Sequence, residues 1–159
     1  MPAVKITFDD FITPMDKASV PYALELNEYL LANGCKATFE EKKTGLLGSY
    51  KHTKSKKVIG NFLLRKQGFL VRIYAEHMAG YRDFLETMPA DLLQTLGDAP
   101  VCRRLVHNTC SPKCSGYDFT IGEQHFQKCR YACFEFVVTA DNFDYLRAFV
   151  EREAVARNA

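Results

Sequence analysis

No stretch of this chain approaches the ~20 apolar residues that a membrane-spanning helix needs, so no membrane partner is expected. Its first residues, "MPAVKITFDDF", hold one lysine and no apolar run, so no export signal is read there. Those two absences give the expectation of a cytoplasmic protein, where thiols stay reduced. Structural disulfides are thereby disfavoured, and metal ligation or inert buried thiols favoured. No internal repeat or low-complexity segment occurs. No phosphate-cradling glycine loop of either standard type is found, nor is HExxH. The four histidines have no partner at a diagnostic spacing. His52 with Lys54, and His77 with Tyr81 and Arg82, are the nearest to an acid–base arrangement. Asp9-Asp10 and Glu40-Glu41 are neighbours in sequence only and read as caps or solvated groups. No catalytic residue is assigned.

A third absence is local. No Asp or Glu falls between Glu41 and Glu76, while nine Lys and Arg do: Lys42, Lys43, Lys51, Lys54, Lys56, Lys57, Arg65, Lys66 and Arg72. The remaining twelve cations face all nineteen carboxylates. The formal net charge of +2 therefore hides one strongly basic segment in an acidic remainder.

What is present fits a single domain over residues 1–159. With 47% apolar and 25% charged residues, a chain this long can bury a core without disulfides. A helix is expected over 16–33, with Pro21 in its first turn and Gly34 just past its end. Val20, Leu24, Leu30 and Leu31 give it one apolar stripe; Tyr22, Leu26 and Tyr29 give a second. A basic β meander follows over 36–76. There "KKVIGNFLL", apolar on both faces, reads as a central strand, and the polar "SYKHTKS" as an edge strand or ribbon. Short helices are expected over 80–97, a Cys-rich metal hairpin over 101–138, and a helix over 141–157. Thr139 or Asp141 would cap that last helix, and Phe143, Leu146 and Val150 form its buried stripe. The fold class is α+β: an antiparallel β meander packed against helices, with a Cys-rich zinc-knuckle hairpin near the C-terminus.

Five of the six cysteines fall between Cys102 and Cys133. "CSPKCSG" places Cys110 and Cys114 on a turn stiffened by Pro112. A hairpin around Gly122-Glu123-Gln124, pairing Ile121 with His125, would return Cys129 opposite Tyr117. Cys110, Cys114 and Cys129 thus converge from local geometry. If residues 126–138 form one strand, Cys129 and Cys133 stand roughly 13 Å apart, at about 3.3 Å per residue. Sulfurs on one zinc lie within about 4 Å of each other. Cys133 can join only if the chain turns at "RYA", so Cys102 is favoured as fourth ligand, with Cys133 competing and His107 or His125 as replacements. Four thiolates leave no open position, which makes the zinc structural. Cys residues buried as small hydrophobes are the plain alternative.

Lys43, Tyr50, Lys51, His52, Lys54, Lys56 and Lys57 are the candidate anion or nucleic-acid site, cations to hold phosphates and two rings to stack bases. Arg103, Arg104, Lys113, Lys128 and Arg130 could extend it. The function expected is a zinc-stabilised, non-enzymatic binding or regulatory module for an anionic partner, nucleic acid leading. One alternative is a small-molecule protein or enzyme with an aromatic pocket of Tyr22, Tyr29, Phe62, Tyr74 and Tyr81. The other is a homodimer formed through Tyr22, Leu26 and Tyr29.

Overall fold

The apolar residues of the basic segment recur with period two, and that period builds the centre of the molecule. A computed structural model describes residues 4–111 and 116–159. Six antiparallel strands form one sheet in the order β1-β2-β3-β4-β5-β8. They are β1 Val4–Ile6, β2 Cys35–Lys42, β3 Gly45–His52, β4 Lys57–Arg65, β5 Gly68–Ile73 and β8 Glu135–Val137. A separate hairpin joins β6 Tyr117–Ile121 to β7 Gln124–Lys128. The helices are α1 Phe8–Ile12, α2 Val20–Ala32, α3 Arg82–Leu85, α4 Ala90–Asp98, α5 Arg103–Val106 and α6 Phe143–Asn158. The α+β class and the meander β2 to β5 are as expected. The strands β1 and β8 and the helices α1 and α5 were not anticipated.

Cross-strand partners share a face of a sheet, so the register sorts every side chain. One face carries Phe39, Gly48, Phe62, Phe69, Val71, Ile73 and Phe136, and helices α1, α2 and α6 contribute Phe11, Leu26, Leu30, Leu146, Phe149 and Val150 to the same core. Gly48 is needed there because the Phe39 ring lies over it. A Cβ at that position would stand 2.5 Å from Phe39 Cε1. The β4 strand is central, as its apolar pattern predicts.

Three readings are corrected. "SYKHTKS" is no edge: β3 lies between β2 and β4. The helix α2 buries Ala23, Leu26 and Leu30, while Leu24 and Leu31 face outward. Of the residues named for a homodimer, Leu26 is buried, Tyr22 stacks on Phe143 at 4.5 Å between ring centroids, and Tyr22 and Tyr29 stay half-buried. Residues 126–138 are not one strand either. β7 ends at Lys128, residues 130–134 form a turn, and β8 then joins β5 across the main sheet.

Some local signals hold. Pro21 sits in the first turn of α2 and Gly34 follows its end at φ +87°. The N-cap of α6 is Asn142 and neither Thr139 nor Asp141, although Thr139 Oγ1 accepts from Asn142 N at 3.2 Å and Asn142 Oδ1 accepts from Thr139 N at 2.9 Å just before the helix. No described helix is long and apolar enough to cross a membrane.

Candidate anion-binding face and the cysteine block

The second face of the sheet carries the charge. Its rows, read from the register, are Lys36–Lys51, then Thr38–Ser49–Asn61–Arg72–Glu135, then Lys5–Glu40–Leu47–Leu63–Leu70–Val137, then Lys42 and Arg65 at the far end. Six cations stand there against two carboxylates, Glu40 and Glu135. None of Leu47, Leu63, Leu70 or Val137 belongs to the helix-packed core. The face is organised by side-chain bonds. Asn61 Nδ2 donates to Ser49 Oγ at 3.0 Å, and Asn61 Oδ1 accepts from Tyr74 Oη at 2.9 Å and Arg72 Nη1 at 3.3 Å. Glu135 Oε1 accepts from Arg72 Nη2 at 3.0 Å and Arg65 Nη1 at 3.1 Å. Arg65 and Arg72, with Lys42, Leu47 and Leu63, line a hollow of about 220 Å³, and Arg72 Nε lies buried with no hydrogen-bond partner.

One contact on this face is unfavourable by itself. Lys36 and Lys51 are directly opposite each other in the β2–β3 ladder, and both are exposed. Like charges at that spacing repel, and an anion lying across both would relieve the repulsion.

The predicted anion-binding residues divide. Lys51 lies on this face. Tyr50 does not: it is fully buried on the packed face, where its hydroxyl donates to Asn27 Oδ1 at 2.6 Å. His52 is equally buried. Its Nδ1 accepts from Ser55 N at 3.2 Å, so Nε2 carries the proton and donates to Asn158 Oδ1 at 2.8 Å. Neither ring can stack a base, because period-two alternation sets both opposite Lys51. Lys54 and Lys56 occupy the β3–β4 turn and Lys43 the β2–β3 turn, at opposite ends of an eight-residue strand. Roughly 25 Å of strand separates those ends. Lys54 Nζ donates to Asn158 O at 3.3 Å and Lys57 pairs with Glu76 at 3.5 Å. The residues missed are Lys5, Lys36, Lys42, Arg65 and Arg72, whose period-two placement on the Lys51 side was readable once β3 is known to be central.

Two of the proposed extensions, Lys128 and Arg130, are held elsewhere. Lys128 is buried and donates to Gly97 O and Ala99 O, both at 2.9 Å, satisfying the end of α4. Arg130 pairs with Glu76 and lies 4.9 Å from the Tyr74 ring centroid. Burial acts to raise the Glu76 pKa, but Arg130, Lys57 and Arg157 outweigh it and hold it below its ordinary 4.5. The rings named for an aromatic pocket are dispersed: Tyr22 lies on Phe143, Tyr29 is half-buried against the core, Phe62 lies in the packed face, Tyr74 on Asn61, and Tyr81 beside Glu153.

No family model, no curated protein and no solved structure matches this chain.

The cysteine block is only partly as expected. The hairpin exists, one residue out of the anticipated register: Gly122, at φ +59°, and Glu123 alone form the turn, so Ile121 pairs with Gln124 and Tyr117 with Lys128. A two-residue hairpin with positive φ suits the strand twist better than the three-residue loop expected. Cys114 and Lys113 lie outside the described residues. Among the described residues, no three His, Cys, Asp or Glu side chains are grouped to hold a metal ion, so the zinc knuckle is not shown. The chain does turn at "RYA", with Cys133 N donating to Cys129 O at 2.9 Å. Cys133 is fully buried in the core, and that burial pushes its thiol well above its ordinary pKa. Cys102 N donates to Gln127 O and Cys129 N to Pro100 O, setting Cys102 and Cys129 as diagonal neighbours. The Cys102 sulfur packs on Gly116, which follows the undescribed residues. Cys110 and His107 are exposed, and His125 Nε2 pairs with Asp118 Oδ1.

Proposed function

We propose that this protein is a binding module that docks a phosphate-bearing polyanion, nucleic acid leading, across the helix-free face of its six-stranded sheet. The observation that carries this reading is the register itself, which collects six cations and two carboxylates on that face and opposes Lys36 to Lys51. The mode is phosphate contact and not base stacking by Tyr50 and His52, which are buried. One exposed ring adjoins the face: Tyr131 meets the Tyr74 ring edge-on at 6.1 Å. It offers a single platform for a base.

Fluorescence anisotropy with a labelled single-stranded oligonucleotide and its duplex tests the reading. Affinity should fall steeply with added salt, and Lys36→Ala with Lys51→Ala should reduce the slope of log K against log salt by about 1 to 2. Absence of binding at 50 mM salt, or a salt-independent affinity, overturns it.

The same reading includes a structural zinc held by Cys110, Cys114, Cys129 and either Cys102 or Cys133. Its support is the turn that brings Cys133 back beside Cys129, and the packing of Cys102 on Gly116 two residues beyond Cys114. Zinc on such a site would supply roughly 10 kcal/mol of coupled folding free energy. Elemental analysis should find near one zinc per chain, and a chelator should lower Tm. No zinc, with Tm unchanged in chelator, removes it.

A further inference from the structure

Among the described residues are two histidine–carboxylate pairs, and they differ in what surrounds them. His125 and Asp118 are both exposed, side by side on the β6–β7 hairpin. The other pair has a buried carboxylate. Glu153 on α6 is fully buried and accepts four hydrogen bonds: from His77 N at 3.1 Å, His77 Nδ1 at 2.8 Å, Tyr81 Oη at 2.8 Å and Arg157 Nε at 2.8 Å. Arg157, itself buried, also donates to Val58 O at 3.1 Å and Tyr74 O at 2.8 Å, so the carboxylate is fixed to the sheet as well as to α6.

This fixes the imidazole. A carboxylate that accepts from Tyr81 and Arg157 offers only acceptor oxygens, so His77 Nδ1 must carry the proton. In the neutral ring Nε2 then holds a lone pair, turned away from Glu153. The ring is half-exposed and lines a surface hollow of about 820 Å³ with Glu76, Arg152, Val155 and Ala156. A base oriented by a buried acceptor is the arrangement that general-base catalysis requires.

The hollow also holds one free guanidinium. Its Glu76 pairs with Arg130 and Lys57, and its Glu151 shares Arg147 with Glu25. Glu153 is matched by Arg157. Arg152 has no ion pair among the described residues; its guanidinium lies 5.4 Å from the Phe84 ring centroid. It stands beside an apolar wall of Ala79, Val155 and Ala156. No Ser, Thr or Cys lines the hollow, so the nucleophile available to His77 is water.

We propose that this hollow is a second, independent site, in which His77 is the general base for hydrolysis of a small organic ester carrying an anionic group. Arg152 holds the anion, and Glu153 is a positioning residue that sets the tautomer. In the step, water adds to the acyl carbon as its proton passes to His77 Nε2. The C–O bond to the leaving group then breaks with the electron pair staying on that oxygen, which takes from His77 Nε2 the proton removed from water. A carboxylic acid and an alcohol or phenol result, and the imidazole is neutral again.

The probe is the mono-p-nitrophenyl ester of glutaric acid, with neutral p-nitrophenyl acetate beside it, on the full chain. His77→Gln should lower the rate on the anionic ester about 100-fold, with the chain still folded by circular dichroism. His125→Gln should leave it unchanged. Arg152→Ala should raise KM for the anionic ester and not for the acetate. A nitrogen-detected NMR spectrum should show the Nδ1–H form of His77. A rate indifferent to His77→Gln, or equally sensitive to His125→Gln, overturns the proposal and leaves His77 as a partner that satisfies Glu153. Nucleic-acid binding is read separately by anisotropy, so failure of one site does not touch the other.

Discussion

The two faces of the central sheet are built from the same strands in strict alternation, yet they answer to different demands. On the packed face, Phe39, Phe62, Phe69, Val71 and Phe136 meet three helices, and even one Cβ at Gly48 is too much. On the other face, Leu63 and Leu70 are buried without a helix, lying between rows that carry Arg65, Arg72 and Asn61. An ordered polar row, Ser49–Asn61–Arg72–Glu135, organises that face beside the buried Leu63 and Leu70. The charged face retains a repulsive Lys36–Lys51 contact that folding alone does not require.

The largest effect expected from breaking this comparison is on the packed face. Phe62→Ala should destabilise by about 3–5 kcal/mol, read by denaturant unfolding. Next is Asn61→Ala on the charged face. It leaves Tyr74 Oη and Arg72 short of a buried acceptor, at a cost of about 1–3 kcal/mol, with little change in the packed core by NMR. The sharper experiment is Lys51→Glu. Placing a carboxylate opposite Lys36 should stabilise the protein by about 0.2–1 kcal/mol while weakening oligonucleotide binding. Opposite signs for stability and affinity are expected of a functional face; equal signs would mark it as structural. The smallest effect concerns Glu76, at the edge of the charged face. Its pKa is held below 4.5 in the folded state, so its stabilising contribution is complete above that value and is lost as pH falls through the folded pKa. The Tm difference between the parent protein and Glu76→Gln should therefore be present at pH 7 and shrink as pH falls below 4.5.

Much of the fold was legible because it rests on local periodicity. Apolar residues on both faces, Val58, Ile59, Phe62, Leu63 and Leu64, mark β4 as central, Pro21 and Gly34 bracket α2, and Phe143, Leu146 and Val150 mark the stripe of α6. The failures share a cause. β3 reads as an edge strand because its lysines are visible in sequence and its partners are not: Tyr50 is satisfied by Asn27 and His52 by Asn158, 23 and 106 positions away. The turn after Cys129 was hidden behind an alternation that continued through it. Glu153 was readable in part. Extending the α6 stripe by three and four residues reaches Glu153 and Arg157, a charged pair on the buried side. What recruits that pair, His77 and Tyr81, lies more than 70 positions upstream.

By itself the sequence determined the α+β class, the meander, the hairpin and the concentration of positive charge between residues 42 and 72. Those follow from nearest-neighbour chemistry and from periods of two and 3.6. Which face of the sheet would keep that charge, and which would receive the helices, was decided only by tertiary structure. A strand's two faces are equivalent until something covers one of them. Here α2 and α6 cover the face of Tyr50 and His52, and so leave Lys51, Arg65 and Arg72 on the other.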